Sequence, residues 1–253
     1  MSANPPNAWR EIPAIPLVKP LEIQIWRIQL LQPSANISRL EKILTPEETR
    51  QAAQFYFAHD QRRFVVRRAV LRQLLAANLD LRPKEIQIEA AYFQKPKIAD
   101  RQNPNRLRFN TSHSGDCALI ALTQNREVGV DVEQHRHLPD ADELAKNFFS
   151  AHEINELNGL SGAARSEGFF NCWTRKEAYV KAIGLGLAHP LKLFSVALAP
   201  GEPAALLAVA NDSTAMGKWS LIAFDVAAGF SAALVLENRQ ATVNFFQWHS
   251  TLV

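Results

Sequence analysis

The sequence predicts an α+β fold, a pseudo-dimer of two similar α+β halves, and three observations predict it. Thr45-Pro46-Glu47-Glu48 and Ser150-Ala151-His152-Glu153 are both helix-capping boxes, each preceded by an apolar residue, Leu44 or Phe149. Each box is followed by a long amphipathic helix pattern, from about Asp60 to Leu79 and from about Glu167 to Ile183, and a shift of 105 residues carries Thr45 to Ser150, Glu48 to Glu153, Phe64 to Phe169 and Ala77 to Ala182. A constant shift across two elements points to an internal duplication. Strand and helix patterns otherwise mix without a steady βαβ rhythm. With 253 residues, the chain divides into an N-terminal half, 1–125, and a C-terminal half, 126–253.

The elements follow in order. Pro5, Pro6, Pro13, Pro16 and Pro20 predict an extended surface segment. A first strand is expected from Glu22 to Leu31, where Ile23, Ile25, Ile28 and Leu30 alternate imperfectly with polar residues. The two N-terminal helices start at Thr45 and near Asp60. Ala118 to Leu122 and Val128 to Val132 flank the polar segment Thr123 to Glu127 and predict a β-hairpin. Gly184-Leu185-Gly186-Leu187 stops the second long helix; the third glycine of a dinucleotide fingerprint would fall on His189, so that motif is excluded. Further strands are expected near Phe194 to Leu198, Trp219 to Asp225 and Ser231 to Glu237.

Composition removes several classes. Hydrophobic residues are 47% and charged residues 21%, ordinary values for a globular chain. The apolar runs, such as Ala204 to Ala210, fall short of the roughly 18 to 20 residues of a membrane span. No basic cap followed by an apolar core opens the chain, so a cytoplasmic protein is expected. Cys117 and Cys172 are too few for a disulfide framework or a cysteine zinc site and are expected as buried thiols. The net charge of +3 makes a weak overall field, so any anion preference must be local, as in the five arginines between Arg62 and Arg72.

Three segments could carry chemistry. In Val128-Gly129-Val130-Asp131-Val132-Glu133 the valines share one strand face and Asp131 and Glu133 the other, with backbones about 6.6 Å apart, close enough to converge on one hard cation. The same alternation also describes a half-buried strand with a solvated acidic face; Gly129 is expected to leave space beside the carboxylates. Trp173, Glu177 and Lys181 fall at i, i+4, i+8 on one helical stripe, with Lys176 beside it. A Glu and a Lys four apart are often an exposed helix pair, but the Trp sets this stripe apart, and a third carboxylate beside two lysines would suit a place where a metal and phosphate oxygens meet. Phe109-Asn110-Thr111-Ser112-His113-Ser114-Gly115 reads as a polar turn, either plainly structural or anion-binding. Adjacent Ser and His do not build a triad, and no nucleophile elbow occurs.

Taken together, FNTSHSG, GVDVEQ, FF and WTRKEAYVKAIGLGL, in this order and spacing, resemble the 4'-phosphopantetheinyl transferases of the large, two-half type. The likeness runs from about Arg62 to Val196, roughly half of the chain. It implies a pseudo-dimeric α+β fold and transfer of phosphopantetheine from coenzyme A to a serine of acyl, peptidyl or aryl carrier proteins, with Mg²⁺ or Mn²⁺. Carried over by motif position, Asp131, Glu133 and Glu177 resemble the metal carboxylates. Lys176 and Lys181 resemble the pyrophosphate contacts, with Glu177 and Lys181 as the catalytic pair and Trp173 packing before them. Arg68, Ser112 and His113 resemble the groups that meet the 3'-phosphate of coenzyme A, and Lys95 the lysine along the nucleotide. Gln94 departs from the glycine of many relatives, and Arg67 stands where small residues are common. A monomer that binds neither nucleic acid nor membrane is expected, and because the acceptor serine sits on a folded carrier while the chain is only mildly basic, docking is expected on the C-terminal half through an apolar patch between Glu133 and Glu177 containing Phe148, Phe149, Leu157 and Leu160. Two other readings stay open: a nucleic-acid-binding protein using the Arg62 to Arg72 cluster, and a metal-dependent phosphodiesterase, although the seven histidines form no ligand motif.

Overall fold

The computed structural model describes residues 9–89, 95–186, 190–237 and 240–252. Pro5, Pro6, Gln94, Leu187 and His189 lie outside the described residues. The first half runs β1 (Glu22–Gln29), α1 (Ser34–Glu41), α2 (Pro46–Ala52), α3 (Ala58–Leu79), β2 (Ile88–Glu89), β3 (Lys97–Ile98), β4 (Leu107–Ser114) and β5 (Cys117–Gln124). The second runs β6 (Val128–Gln134), α4 (Ala141–Phe148), α5 (Ala151–Asn158), α6 (Gly162–Ile183), β7 (Phe194–Val196), β8 (Leu206–Val209), α7 (Ala215–Lys218), β9 (Trp219–Ala223) and β10 (Phe230–Glu237), before β11 (Thr242–Gln247).

The duplication is physical. Strands β1-β5-β4 form an antiparallel sheet, and β6-β10-β9 repeat that order. Both capping boxes close, at Thr45 with Glu48 and at Ser150 with Glu153. In each half the box glutamate is buried and takes a cation from the long helix: Glu48 from Arg72 at 2.6 Å, Glu153 from Lys176 at 2.7 Å. Helices α3 and α6 are both 22 residues long, and their C-caps, Asp80 and Gly184, are left-handed. Arg72 and Lys176, like Asp80 and Gly184, are 104 apart while the boxes are 105 apart, so the second half carries one residue fewer between box and long helix.

The layers run helix, sheet, sheet, helix. One face of the first sheet (Trp26, Ile28, Ile120, Leu122) packs on α3 through Val66, Val70 and Leu74. Its other face (Ile23, Ile25, Leu119, Ala121) meets Val128, Val130, Val132 and Leu234 of the second sheet. Helix α6 covers the far side of that sheet.

This layering overturns the expected hairpin. β5 is already flanked by β1 and β4, so β6 finds no free edge there and pairs with β10. The segment after β5 therefore carries the chain between sheets. The polar turn expected at Phe109 to Gly115 is mostly strand: Phe109 to Ser114 belong to β4, and only Gly115 (φ +55°) and Asp116 turn the chain into β5. Gly129 does not leave space. A Cβ there would lie 2.0 Å from the Ala178 carbonyl oxygen, because α6 rests directly on the β6 backbone. β11 returns to pair in parallel with β1, so residues 242–247 complete the sheet of the first half. Among the described residues no helix is long and apolar enough to cross a membrane. Cys117 and Cys172 are buried free thiols; burial raises the first to about 11 and the second well above its ordinary value.

Candidate active site at the seam between the halves

The edge strands β4 and β6 run side by side where the two sheets meet, and side chains join them. Backbone amides of Val130, Val132 and Gln134 donate to Asn110 Oδ1 (2.8 Å), Ser112 Oγ (3.4 Å) and Ser114 Oγ (3.0 Å). The hydroxyls donate onward, Ser112 Oγ to Asp131 Oδ1 and Ser114 Oγ to Glu133 Oε2, both at 2.7 Å. Alternation explains the geometry: the three valines face the inter-sheet core while Asp131 and Glu133 point the other way.

Helix α6 supplies the rest. Its long buried face leaves Trp173, Glu177 and Lys181 as a partly exposed stripe. Lys181 Nζ donates to Asp131 Oδ1 at 2.6 Å and to Ser112 Oγ at 3.1 Å. Burial, then the charge of Asp131, raises the Glu177 carboxyl, with Lys181 opposing and Glu133 adding. Burial also raises Glu133, against the Ser114 hydrogen bond, and Asp131 adds to the rise. Asp131, Glu133, Glu177, Lys181 and Ser112 are thus brought together as one electrostatic cluster.

Among the described residues no group of three or more His, Cys, Asp or Glu is arranged to hold a metal ion. The cluster nevertheless fits a hard divalent cation that brings further oxygen ligands. Asp131 Oδ2 is buried without a partner, the charge of Asp131 raises the proton affinity of Glu133 and Glu177, and the donor set is all oxygen.

The remaining predicted residues separate. His113 follows Ser112 on β4 and faces the opposite way, toward α3, where Nδ1 lies 3.0 Å from Arg67 Nη1. Desolvation, then Arg67, Lys181 and Arg63, lowers the His113 imidazole to about 4. Burial, then Arg68, lowers the Arg67 guanidinium to about 10. Arg68 Nε is bound to Glu48 Oε1, with 27% of its side chain exposed. Lys95 Nζ donates to Glu127 Oε2 (2.9 Å) and the Val128 carbonyl (2.7 Å), and lines a groove of about 640 Å³ with Pro96, Arg108, Phe109 and Ile183.

Lys176 corrects the expectation of a pyrophosphate contact. It is 0% exposed, and its ammonium holds both Glu153 oxygens and the Phe194 carbonyl, each at 2.7 Å. One residue before Glu177 on a helix, it turns into the core, where the second capping box needs a cation. Of the expected docking residues, Phe149 and Leu157 are also core, Leu160 is half-buried, and Phe148 is 38% exposed with its ring edge-on to Trp173 at 5.6 Å. Sequence reasoning missed Asn110 and Ser114 as partners of β6 and left Arg67 unassigned. The signal was available in Asn110, Ser112 and Ser114 at i, i+2, i+4, which as a strand share the face opposite Phe109.

Residues 127–235 match the model of the 4'-phosphopantetheinyl transferase superfamily, and residues 32–125 match that of the 4'-phosphopantetheinyl transferase N-terminal region. The chain is 38% identical over 185 residues to the 4'-phosphopantetheinyl transferase HetI of Nostoc sp., covering 73% of this chain and 78% of that protein. It is 29% identical over 160 residues to the 4'-phosphopantetheinyl transferase Sfp of Bacillus subtilis, covering 63% and 69%. Among solved structures, a holo-(acyl-carrier-protein) synthase from Bacillus anthracis in complex with CoA aligns at 19% identity and a TM-score of 0.37, over 46% of this chain and 96% of that one.

Proposed function

The chain belongs to the 4'-phosphopantetheinyl transferase family, and from that premise we propose that it transfers 4'-phosphopantetheine from coenzyme A to the serine hydroxyl of an apo acyl, peptidyl or aryl carrier protein. The serine oxygen bonds to the phosphorus that carries pantetheine, the bond from that phosphorus to the bridging oxygen breaks, and adenosine 3',5'-bisphosphate leaves. The observation that carries this reading is the seam cluster, three carboxylates and Lys181 contributed by β6 and α6 beside the β4 hydroxyls.

A Mg²⁺ or Mn²⁺ ion held by Asp131, Glu133 and Glu177 would neutralise charge on the pyrophosphate oxygens. Lys181, with 27% of its side chain exposed, offers a further donor to the same oxygens. Glu177 is the base for the serine proton in this reading, a carboxylate on the partly exposed stripe with Lys181 one turn away. Arg67, Arg68, His113 and Lys95 offer cationic or polar contacts to the nucleotide end, along β4 and the groove at Lys95.

Both halves of the site lie in one chain, which supports action as a monomer, and two free thiols suit a reducing compartment such as the cytoplasm. On α3, Arg63, Arg68 and Arg72 are already paired with carboxylates, which weakens the nucleic-acid reading. The test is to incubate the protein with coenzyme A, Mg²⁺ and an apo carrier protein and weigh the carrier. A gain of one phosphopantetheine group, lost on chelation and in Asp131→Ala, is expected; an unmodified carrier from every class would overturn the proposal.

A further inference from the structure

The contacts across the β4–β6 seam form a ladder, and each of its two hydroxyl rungs has its single proton already committed. A serine hydroxyl donates once and accepts twice. Ser112 Oγ accepts from the Val132 amide (3.4 Å) and from Lys181 Nζ (3.1 Å), so its proton goes to Asp131 Oδ1, 2.7 Å away. Ser114 Oγ accepts from the Gln134 amide (3.0 Å) and gives its proton to Glu133 Oε2 at 2.7 Å. Amide, hydroxyl and carboxylate are aligned in series, each donation strengthening the next.

We propose that Ser112 and Ser114 are positioning residues that sort the oxygens of the two β6 carboxylates, occupying Asp131 Oδ1 and Glu133 Oε2 so that Asp131 Oδ2 and Glu133 Oε1 are left as donors for the cation. The inference rests on the metal reading above and deepens it. It also reassigns Ser112, whose hydroxyl the family resemblance directs to the 3'-phosphate of coenzyme A. Asp131 Oδ2, buried and without a partner, is the oxygen that this sorting leaves free. Asn110 provides the internal control. It makes the same kind of rung, accepting from the Val130 amide at 2.8 Å, but the described contacts give it no carboxylate.

The experiment measures Mn²⁺ binding in the presence of coenzyme A by electron paramagnetic resonance, beside steady-state kinetics and thermal unfolding. Ser112→Ala and Ser114→Ala should each weaken Mn²⁺ about 10- to 100-fold, the usual cost of losing a group that orients a metal ligand. kcat should fall with them, while the ratio of KM values for 3'-dephospho-coenzyme A and coenzyme A stays at the wild-type value. Ser114→Thr, which keeps the hydroxyl, should restore Mn²⁺ binding. Asn110→Ala should lower thermal stability and leave Mn²⁺ affinity unchanged. Wild-type Mn²⁺ affinity in both serine-to-alanine variants would overturn the inference. So would an equal loss in Asn110→Ala, which would make the rungs simple struts, or a changed KM ratio in Ser112→Ala with Mn²⁺ binding intact, which would return that hydroxyl to the phosphate. Failure of the wild type to modify any carrier, with Mn²⁺ affinity still following the two serines, would sink the transfer reading and leave the oxygen sorting standing.

Discussion

Arg67 Nη1 lies 3.0 Å from His113 Nδ1, so the guanidinium donates, the ring nitrogen accepts, and the imidazole proton sits on Nε2. Desolvation, then the positive charges of Arg67, Lys181 and Arg63, keeps this histidine neutral down to about pH 4, against 6.5 for a free one. The unfolded chain therefore takes up the proton first as pH falls. The stability contributed by His113 is fully present above about 6.5 and is lost between there and about 4. His113→Asn should flatten the fall in melting temperature across that window; an unchanged slope would assign the acid sensitivity to other groups.

The same pair should respond to ligand. A dianionic phosphate placed between Arg67 and His113 reverses the local field and favours the imidazolium. Titrated by NMR, His113 should move to a higher pKa when coenzyme A is added, and much less with 3'-dephospho-coenzyme A. Equal shifts with both would place the 3'-phosphate elsewhere.

Arg67 and Arg68 should behave differently when removed. No carboxylate pairs with Arg67 among the described contacts, whereas Arg68 shares Glu48 with Arg72. Arg67→Ala should raise KM for coenzyme A by about 10- to 150-fold, the value of a charge-assisted hydrogen bond of roughly 1.5 to 3 kcal/mol, with little effect on stability. Arg68→Ala should also lower the melting temperature, since the buried Glu48 loses one of its two cations. KM values and unfolding curves for the two variants decide this.

Lys176 gives a test in the other direction. Removing one partner of a fully buried ion pair strands the other, at a cost of about 3 to 5 kcal/mol. Lys176→Met should therefore destabilise the protein strongly in denaturant titration, while the folded fraction keeps its KM for coenzyme A. A variant that stays stable and loses affinity for coenzyme A would put the ammonium back at the pyrophosphate.

These residues also mark how far the sequence could be read. Capping boxes, valine alternation and the Trp173 stripe are local patterns, and each appears where local chemistry puts it. Lys176 was misread because a stripe one residue wide cannot say which flank of the helix meets the core; Glu153, 23 residues earlier, settles that through tertiary packing. The hairpin failed for a similar reason. Two apolar runs around a polar turn fit a hairpin, but whether β5 has a free edge depends on β1, about a hundred residues upstream. Gly129 records a backbone-to-backbone approach of α6 that the residues beside it do not announce.

The last prediction concerns the carrier. Its serine sits on a folded domain, so the partner must approach beside the stripe of Trp173, Glu177 and Lys181. Of the apolar residues expected there, burial removes Phe149 and Leu157, whose substitution should unfold the second half's core. Phe148 survives: 38% exposed at the C-terminal end of α4, it presents its ring to Trp173 at 88° and extends the stripe with an apolar rim. An apolar anchor of this kind is worth about 1 to 2 kcal/mol, roughly 5- to 30-fold in affinity. Phe148→Ser should raise KM for the carrier by that factor and leave KM for coenzyme A unchanged. Charge steering is screened over about 8 to 10 Å at physiological ionic strength, whereas an apolar contact is little affected by salt. Raising salt from low to moderate should therefore cost less than about tenfold in kcat/KM, within the span of steering effects on association. A steep salt dependence with Phe148→Ser silent would move the docking surface to the basic face of α3.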